Sequence, residues 1–424
     1  MALDIAILGS GVAGLSSAWY LGKNHRISLF EKSSSLGLGQ KSVSLETAIG
    51  KVRVDVPPRV MNPQHYTSLF DLLEEADLDT YSIKQEASFN TLAGDTYLAF
   101  STVNAGRFSL TAPKFSLSSA MWLGKHGLDL VRFYRTLWFS KDFGARSGQS
   151  LQSYLGSKGY HAEFVEGFLY PMWSLMCTCP YEDVGRFPAR DMLRLLKNFT
   201  SASKSRRLKG GTKEFEIRLS SRLHKCHLGT KVLSVSKVGS KMEVVTDGGA
   251  LLFDHVIIAT EPKAARFLVK GFGEDEEALK QVPYYTTKML LHTDESFMPR
   301  NREKWAPVNL FWDKKAAVST ATLWMDKIEA SKTYKRPLFQ TWDPVTLPDK
   351  KLVLGERRFQ RTLVTPRSAR ALSRLRRRMK TDKDRRIWYV GAYMARGVPL
   401  LENGVQSAKM VAKWIEKSQA ARRR

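Results

Sequence analysis

The sequence of 424 residues predicts an α/β protein, in which a parallel-sheet domain, discontinuous in the chain, carries an inserted α+β domain. Three observations lead there. Residues 5 to 31 run as an apolar strand, a glycine turn, a helical stretch and a second strand ending in an acid. A second apolar strand, Phe253-Asp-His-Val-Ile-Ile-Ala-Thr260, comes far later. A third, Arg386-Ile-Trp-Tyr-Val-Gly-Ala-Tyr393, meets a glycine and precedes a final helical pattern.

The first unit is the most specific. Ile5-Ala-Ile-Leu-Gly-Ser-Gly-Val-Ala-Gly14 fits the turn of a Rossmann-like dinucleotide site. Gly9 allows the tight turn. Gly11 lacks a Cβ, so backbone approaches a pyrophosphate closely. Gly14 permits tight packing of the helix. Val12 and Ala13 lie in the first helical turn, whose free N–H groups and partial positive charge suit phosphates. Glu31, 22 residues after Gly9, can accept hydrogen bonds from ribose hydroxyls. An acid there favours FAD or NAD over NADP, whose 2′-phosphate it would repel.

Val52 to Val56 alternates as a strand and carries Asp55. Residues 63–79 read as an amphipathic helix. Residues 85–112 read as short strands with turns at Ala93-Gly-Asp95 and Asn104-Ala-Gly106. From 115 to 200 the text is helical and aromatic, with Trp122, Phe133, Trp138, Phe139, Phe164, Phe168 and Trp173 read as core builders. Lys209-Gly-Gly-Thr-Lys213 opens a helix through Leu223. Strand-like stretches follow at 231–237, 241–246, 286–293, 307–312 and 318–325, and residues 402–418 form the last helix. The expected division is 1–84, 206–284 and 371–424 for the nucleotide domain, and 85–205 with 285–370 for the inserted substrate domain.

With 43% hydrophobic residues the chain can bury a large core. Three cysteines, Cys177, Cys179 and Cys226, make no disulfide framework and fit a reducing compartment. His224 and His227 beside Cys226 could join them on a metal. Core cysteines are the preferred reading, and no metal site is assigned. No charged-then-apolar leader precedes the first strand, and no run of roughly 18 apolar residues occurs. A soluble protein is expected. The net charge of +26 is uneven. Residues 203–209 and 370–386 are strongly basic, as are the last three residues. A solvated basic surface is the first reading, and an anionic membrane surface drawn to these clusters is the second. Nucleic acid comes last, because no recognised nucleic-acid-binding motif occurs.

These residues together resemble the flavin-containing amine oxidoreductases, which include monoamine oxidases, protoporphyrinogen oxidases and phytoene-type desaturases. The resemblance rests on Gly9-Ser-Gly-Val-Ala-Gly-Leu15 with Glu31, on Phe253 to Thr260, and on Ile387-Trp-Tyr-Val-Gly-Ala-Tyr-Met394 followed by Pro399-Leu-Leu-Glu-Asn-Gly-Val405. Residues 291–313 and 321–330 are similar to bacterial-type FAD/NAD-binding oxidoreductases found beside cyclopropane fatty acid synthases. The resemblance implies an FAD/NAD(P)-binding domain of glutathione-reductase type and FAD as cofactor. It implies contacts from Lys32, Gly39, Val232, Gly391, Ala392 and Val405, besides the turn residues and Glu31. Lys288 falls where several amine oxidases hold a water at flavin N5, and Trp388 and Tyr393 flank the flavin-contacting block. The sequence also departs from the pattern. Leu38 is inserted between Gly37 and Gly39, and Asp55-Val-Pro-Pro58 replaces an acid-x-glycine. Three function classes stay open. The first is an FAD-dependent oxidoreductase of CH–NH or CH–CH groups with a small-molecule, hydrophobic or lipid-like substrate. The others are a flavin-fold binding protein without catalysis, and a basic adaptor for membrane or nucleic acid with a vestigial nucleotide site.

Overall fold

Strand β1 (Asp4–Leu8), helix α1 (Val12–Leu21) and strand β2 (Arg26–Phe30) form a parallel β-α-β unit. In this computed structural model, residues 2–47, 50–105, 108–200, 204–269, 271–329 and 334–423 are described. β1 and β2 lie inside a five-stranded parallel sheet, ordered Lys225–His227, β2, β1, His255–Ile258, Ile387–Tyr389. Ile5, Ala6, Ile7 and Leu8 are all buried, the continuous apolar run of a parallel strand covered on both faces. Helix Leu401–Arg423 packs on α1. Their approach is close enough that a Cβ at Gly404 would stand 2.7 Å from Val12 Cγ1.

The stretch expected as one strand over 253–260 is divided. Gly249–Phe253 closes an antiparallel meander with Val232–Val238 and Lys241–Thr246, and His255–Ile258 belongs to the parallel sheet. Asp254 makes the corner. Its carboxylate accepts the Asp4 N–H at 2.9 Å and a Lys241 Nζ bond at 2.6 Å. The helix expected over 63–79 is shorter, Thr67–Glu75, and buries Leu69, Leu72 and Leu73. Glu402, itself buried, caps it by accepting the N–H groups of Ser68 and Leu69 at 2.9 Å each.

An eight-stranded sheet forms the second unit. Its order is Val353–Thr362, Tyr284–His292, Phe339–Trp342, Val318–Trp324, Val308–Asp313, Ala87–Thr91, Thr96–Ala105 and Phe108–Pro113. Gly106, in one expected turn, lies outside the described residues. Helices between Leu117 and Phe199 pack beside this sheet, and Trp173, Phe164 and Phe168 are fully buried there. Trp138 and Phe139, expected in that core, are exposed instead. Among the described residues no helix is long and apolar enough to cross a membrane.

Candidate functional site

The site grows from the turn between β1 and α1. Gly9 takes φ +106°, a conformation side chains resist, and donates its N–H to Phe30 O at 2.8 Å. A Cβ on Gly14 would lie 2.0 Å from Gly9 O, so this position admits glycine alone. A Cβ on Gly11 would meet no protein atom within 4 Å. The outer side of the turn is therefore open where the first N–H groups of α1, from Val12 and Ala13 onward, lack helical partners.

Glu31 stands at the end of β2 and is buried. Its Oε2 accepts the Ser10 N–H at 3.1 Å and the Ser10 hydroxyl at 2.6 Å, and its Oε1 accepts the Ser33 N–H at 3.0 Å. Burial alone would raise this carboxyl. The hydrogen bonds from Ser10 and Ser33 outweigh it, so the group lies below the usual range and stays ionised. The Ser33 side chain also bonds this carboxylate, which stands at the end of β2 where a ribose would lie. Lys32 beside it is exposed. Val232 follows Thr230, whose N–H bonds Glu31 O at 3.0 Å, and packs partly buried against the nucleotide-domain core.

The loop carrying Leu38 folds onto this turn. Gly37 donates its N–H to Ser10 Oγ at 2.7 Å. Gly39 is closed off by the protein itself. Its N–H goes to Glu216 Oε1 at 2.7 Å, its carbonyl accepts Arg53 Nη2 at 2.6 Å, and Arg53 fills the space of a Cβ. The expected Gly39 contact with a cofactor would require Arg53 to move. Beyond this loop lies a narrow cavity of about 30 Å³, lined by Val12, Leu38, Asp55, Arg59 and Thr212 among others. Asp55 caps helix Gly211–Ser220, accepting the Thr212 N–H at 2.9 Å and its hydroxyl at 2.7 Å. The proline loop after Asp55 delivers Arg59 in a left-handed conformation, φ +53°. Arg59 was not singled out from the sequence, where nothing distinguishes it from the many other basic residues. Burial and the neighbouring Arg361 cation bring its guanidinium down to about 10, so it stays charged at neutral pH. Its Nε has no hydrogen-bond partner among the described residues.

An open glycine turn and a helix N-terminus, with Arg59 Nε unpartnered at the cavity that Val12 also lines, suit a pyrophosphate, and Glu31 suits a ribose. The residues present thus fit a dinucleotide such as FAD.

The C-terminal block comes to the same sheet. Gly391, at φ +151°, donates its N–H to Ser407 Oγ at 2.9 Å, with Ala392 next to it and partly buried. Val405 is fully buried in the core beneath. Trp388 and Tyr393 are buried too. The Trp388 indole bonds His255 Nδ1 at 3.1 Å, and the Tyr393 hydroxyl donates to Thr260 O at 3.2 Å, so both serve the core rather than an open wall. Lys288 is in the middle of strand Tyr284–His292. Its Nζ pairs with Glu356 at 3.1 Å, both side chains are partly exposed, and Lys288 is not among the residues lining the cavity.

Cys177 and Cys179 are buried in the helical core while Cys226 is exposed on the edge strand of the parallel sheet. They do not converge. Among the described residues His126, His161 and Glu163 bring potential ligand atoms within 4.8 Å. Lys125 and Lys314 already hold the Glu163 carboxylate at 2.5 and 3.0 Å, and two ammonium groups oppose a dication there.

Residues 7–76 match the NAD(P)-binding Rossmann-like domain family. No curated protein matches the chain. Several solved structures superpose over nearly its whole length. A protein assigned as a protoporphyrinogen oxidase in Exiguobacterium sp. 255-15 does so with TM-score 0.69 at 16% identity, covering 99% of this chain and 100% of its own. A fatty acid isomerase of P. acnes that produces CLA gives 0.67 at 13% identity over 97% and 98%. Cyclohexylamine oxidase of Brevibacterium oxydans IH-35A gives 0.62 at 11% identity over 98% and 100%. The fold is that of the flavin amine oxidases. In this fold the turn at Gly9 to Gly14 and the block at Gly391 to Val405 come together on the parallel sheet, as the sequence resemblance implied.

Proposed function

We propose that this chain is an FAD-dependent oxidoreductase that removes hydride from a CH–NH or CH–CH group of a small-molecule substrate. The observation that carries this reading is the open side of the Gly9–Gly14 turn, with Val12 of that turn on a cavity where Arg59 Nε lacks a partner, and an ionised acid at the ribose position. Bound flavin supplies the hydride acceptor. The chain supplies the rest. N–H groups at the start of α1 and the Arg59 guanidinium hold the phosphates, and Glu31 orients the ribose. Asp55 and Thr212 fix the far wall, and Val12 and Leu38 keep water from it. A hydrophobic or lipid-like substrate belongs to the proposal. It is supported by the shared fold with an isomerase that acts on a fatty acid.

A second reading is a binding protein without catalysis. Leu38 in the cavity wall and the closure of Gly39 by Arg53 favour it. The test is the absorbance of the purified protein followed by anaerobic addition of amines and unsaturated fatty acids. Flavin bands that bleach with one substrate class support the oxidoreductase. Flavin bands that no substrate bleaches support the binding protein.

A further inference from the structure

Helix Leu117–Phe139 carries two apolar faces. One holds Trp122, His126, Phe133 and Leu137, all buried against the helical core. The other has no cover. Among the described residues, seven of the 17 exposed large apolar side chains fall between Phe115 and Phe139, a density that isolated surface residues do not reach. Phe115 is 100% exposed, Leu128 84% and Phe139 85%. Leu117, Met121, Leu128 and Val131, spaced by four, seven and three, lie on one side of a helix with 3.6 residues per turn, opposite the buried face.

The charges beside this stripe select the partner. Arg135 sits within the stripe and Lys141 follows the helix end, both exposed, while Lys125 and Arg132 along one flank are exposed and paired with Glu163 and Asp129. Asp129 is the one acid on the helix, and it is held by Arg132 at 3.0 Å and by the His161 N–H at 2.8 Å. A second copy of the helix would bring cations against cations. An anionic lipid surface brings anions to them and apolar chains to the stripe. A 23-residue helix is roughly 34 Å long and suits lying flat in the interface.

We infer that helix Leu117–Phe139 is an in-plane anchor that seats the protein on an anionic bilayer through Phe115, Leu117, Met121, Leu128, Val131 and Phe139. This contact is distinct from the basic runs at 203–209 and 370–386, to which the sequence alone pointed. It stands apart from the flavin reading, because vesicle binding is measured whatever the flavin content.

The full chain is sedimented with phosphatidylcholine vesicles, with and without phosphatidylglycerol. The double variant L128E/V131E is compared with F267E, which places a glutamate at an exposed apolar site elsewhere. Both variants change exposed side chains, and circular dichroism melts are expected to match wild type. Wild type and F267E are expected to bind the anionic vesicles, and L128E/V131E to bind them at least about tenfold more weakly. Wild-type affinity in L128E/V131E overturns the anchor, and so does failure of wild type to bind. A dimer in analytical ultracentrifugation that L128E/V131E dissolves, without vesicle binding, overturns it in favour of a second copy.

Discussion

Glu31 holds Ser10 twice, through its N–H at 3.1 Å and its hydroxyl at 2.6 Å, while the same hydroxyl accepts the Gly37 N–H at 2.7 Å. One carboxylate thus ties the end of β2 to the glycine turn and, through Ser10, to the Leu38 loop. The hydrogen bonds from Ser10 and Ser33, outweighing burial, depress its pKa below 4.5 in the folded state. A depressed acid contributes stability above its unfolded pKa and loses it as pH falls through the folded value. Glu31→Gln is therefore expected to be less stable than wild type at neutral pH, with the gap closing in strong acid. It is also expected to retain FAD less well, by roughly 1.5–3 kcal/mol, the worth of a charge-assisted hydrogen bond. Urea unfolding across pH and flavin titration of the apoprotein check the two effects. Equal flavin affinities would remove Glu31 from the ribose.

Gly11 and Gly14 separate ligand from fold. The missing Gly11 Cβ faces space free of protein, whereas a Gly14 Cβ would strike Gly9 O at 2.0 Å. Gly11→Val is expected to fold with a near-normal melting temperature and to bind no flavin. Gly14→Ala is expected to be destabilised outright. Full flavin in purified Gly11→Val would contradict the assignment of this turn.

Acid sensitivity has a second source in the eight-stranded sheet. His292 is fully buried, accepts the Asp294 N–H at Nδ1 over 3.2 Å, and so presents Nε2–H to Thr341 Oγ1 at 2.7 Å. Burial is the main cause that pulls it to about 4 from 6.5. The unfolded chain takes up this proton first, so stability is expected to fall as pH drops from 6.5 to about 4, by on the order of 3 kcal/mol. His292→Gln should shrink that limb of the urea-midpoint profile, the remainder coming from His65, which burial also brings down to about 4. A limb of the same size in the variant would show that the proton is taken up elsewhere.

Lys288→Met tests the residue that the family resemblance singled out. Its partner Glu356 is exposed, so the pair adds little to stability. Flavin content and both half-reaction rates are expected to stay within about twofold of wild type. A fall of at least about tenfold in stopped-flow reduction or reoxidation, near 1.4 kcal/mol of barrier, would bring Lys288 back to the flavin.

The nucleotide turn was legible because its chemistry is local. Gly9, Gly11, Gly14 and Glu31 lie within 23 residues, and their spacing encodes strand, turn and helix. The strands at Tyr284–His292, Val308–Asp313 and Val318–Trp324 follow the expected stretches within two residues. Lys225–His227 was not legible as a sheet strand. It is a three-residue edge strand of charged and polar types, fixed by its pairing with β2. Phe339–Trp342 is also short, and its Gln340 and Thr341 are buried polar residues that satisfy neighbouring strands and the Asp55 carbonyl. Arg59 became visible only when the proline loop carried it to the cavity. The pattern at Leu117–Phe139 misled in another way. Apolar residues on both sides of a helix read as core, and the sequence does not say that one side lacks a neighbour.

The most direct measurement is the absorbance spectrum of the purified, folded chain together with its Arg59→Met and Gly11→Val variants. Wild type is expected to show protein-bound flavin bands near one flavin per chain, with flavin weakened in Arg59→Met and absent in Gly11→Val. A folded wild-type chain that shows no flavin bands and takes up none from added FAD would contradict the proposal at its root.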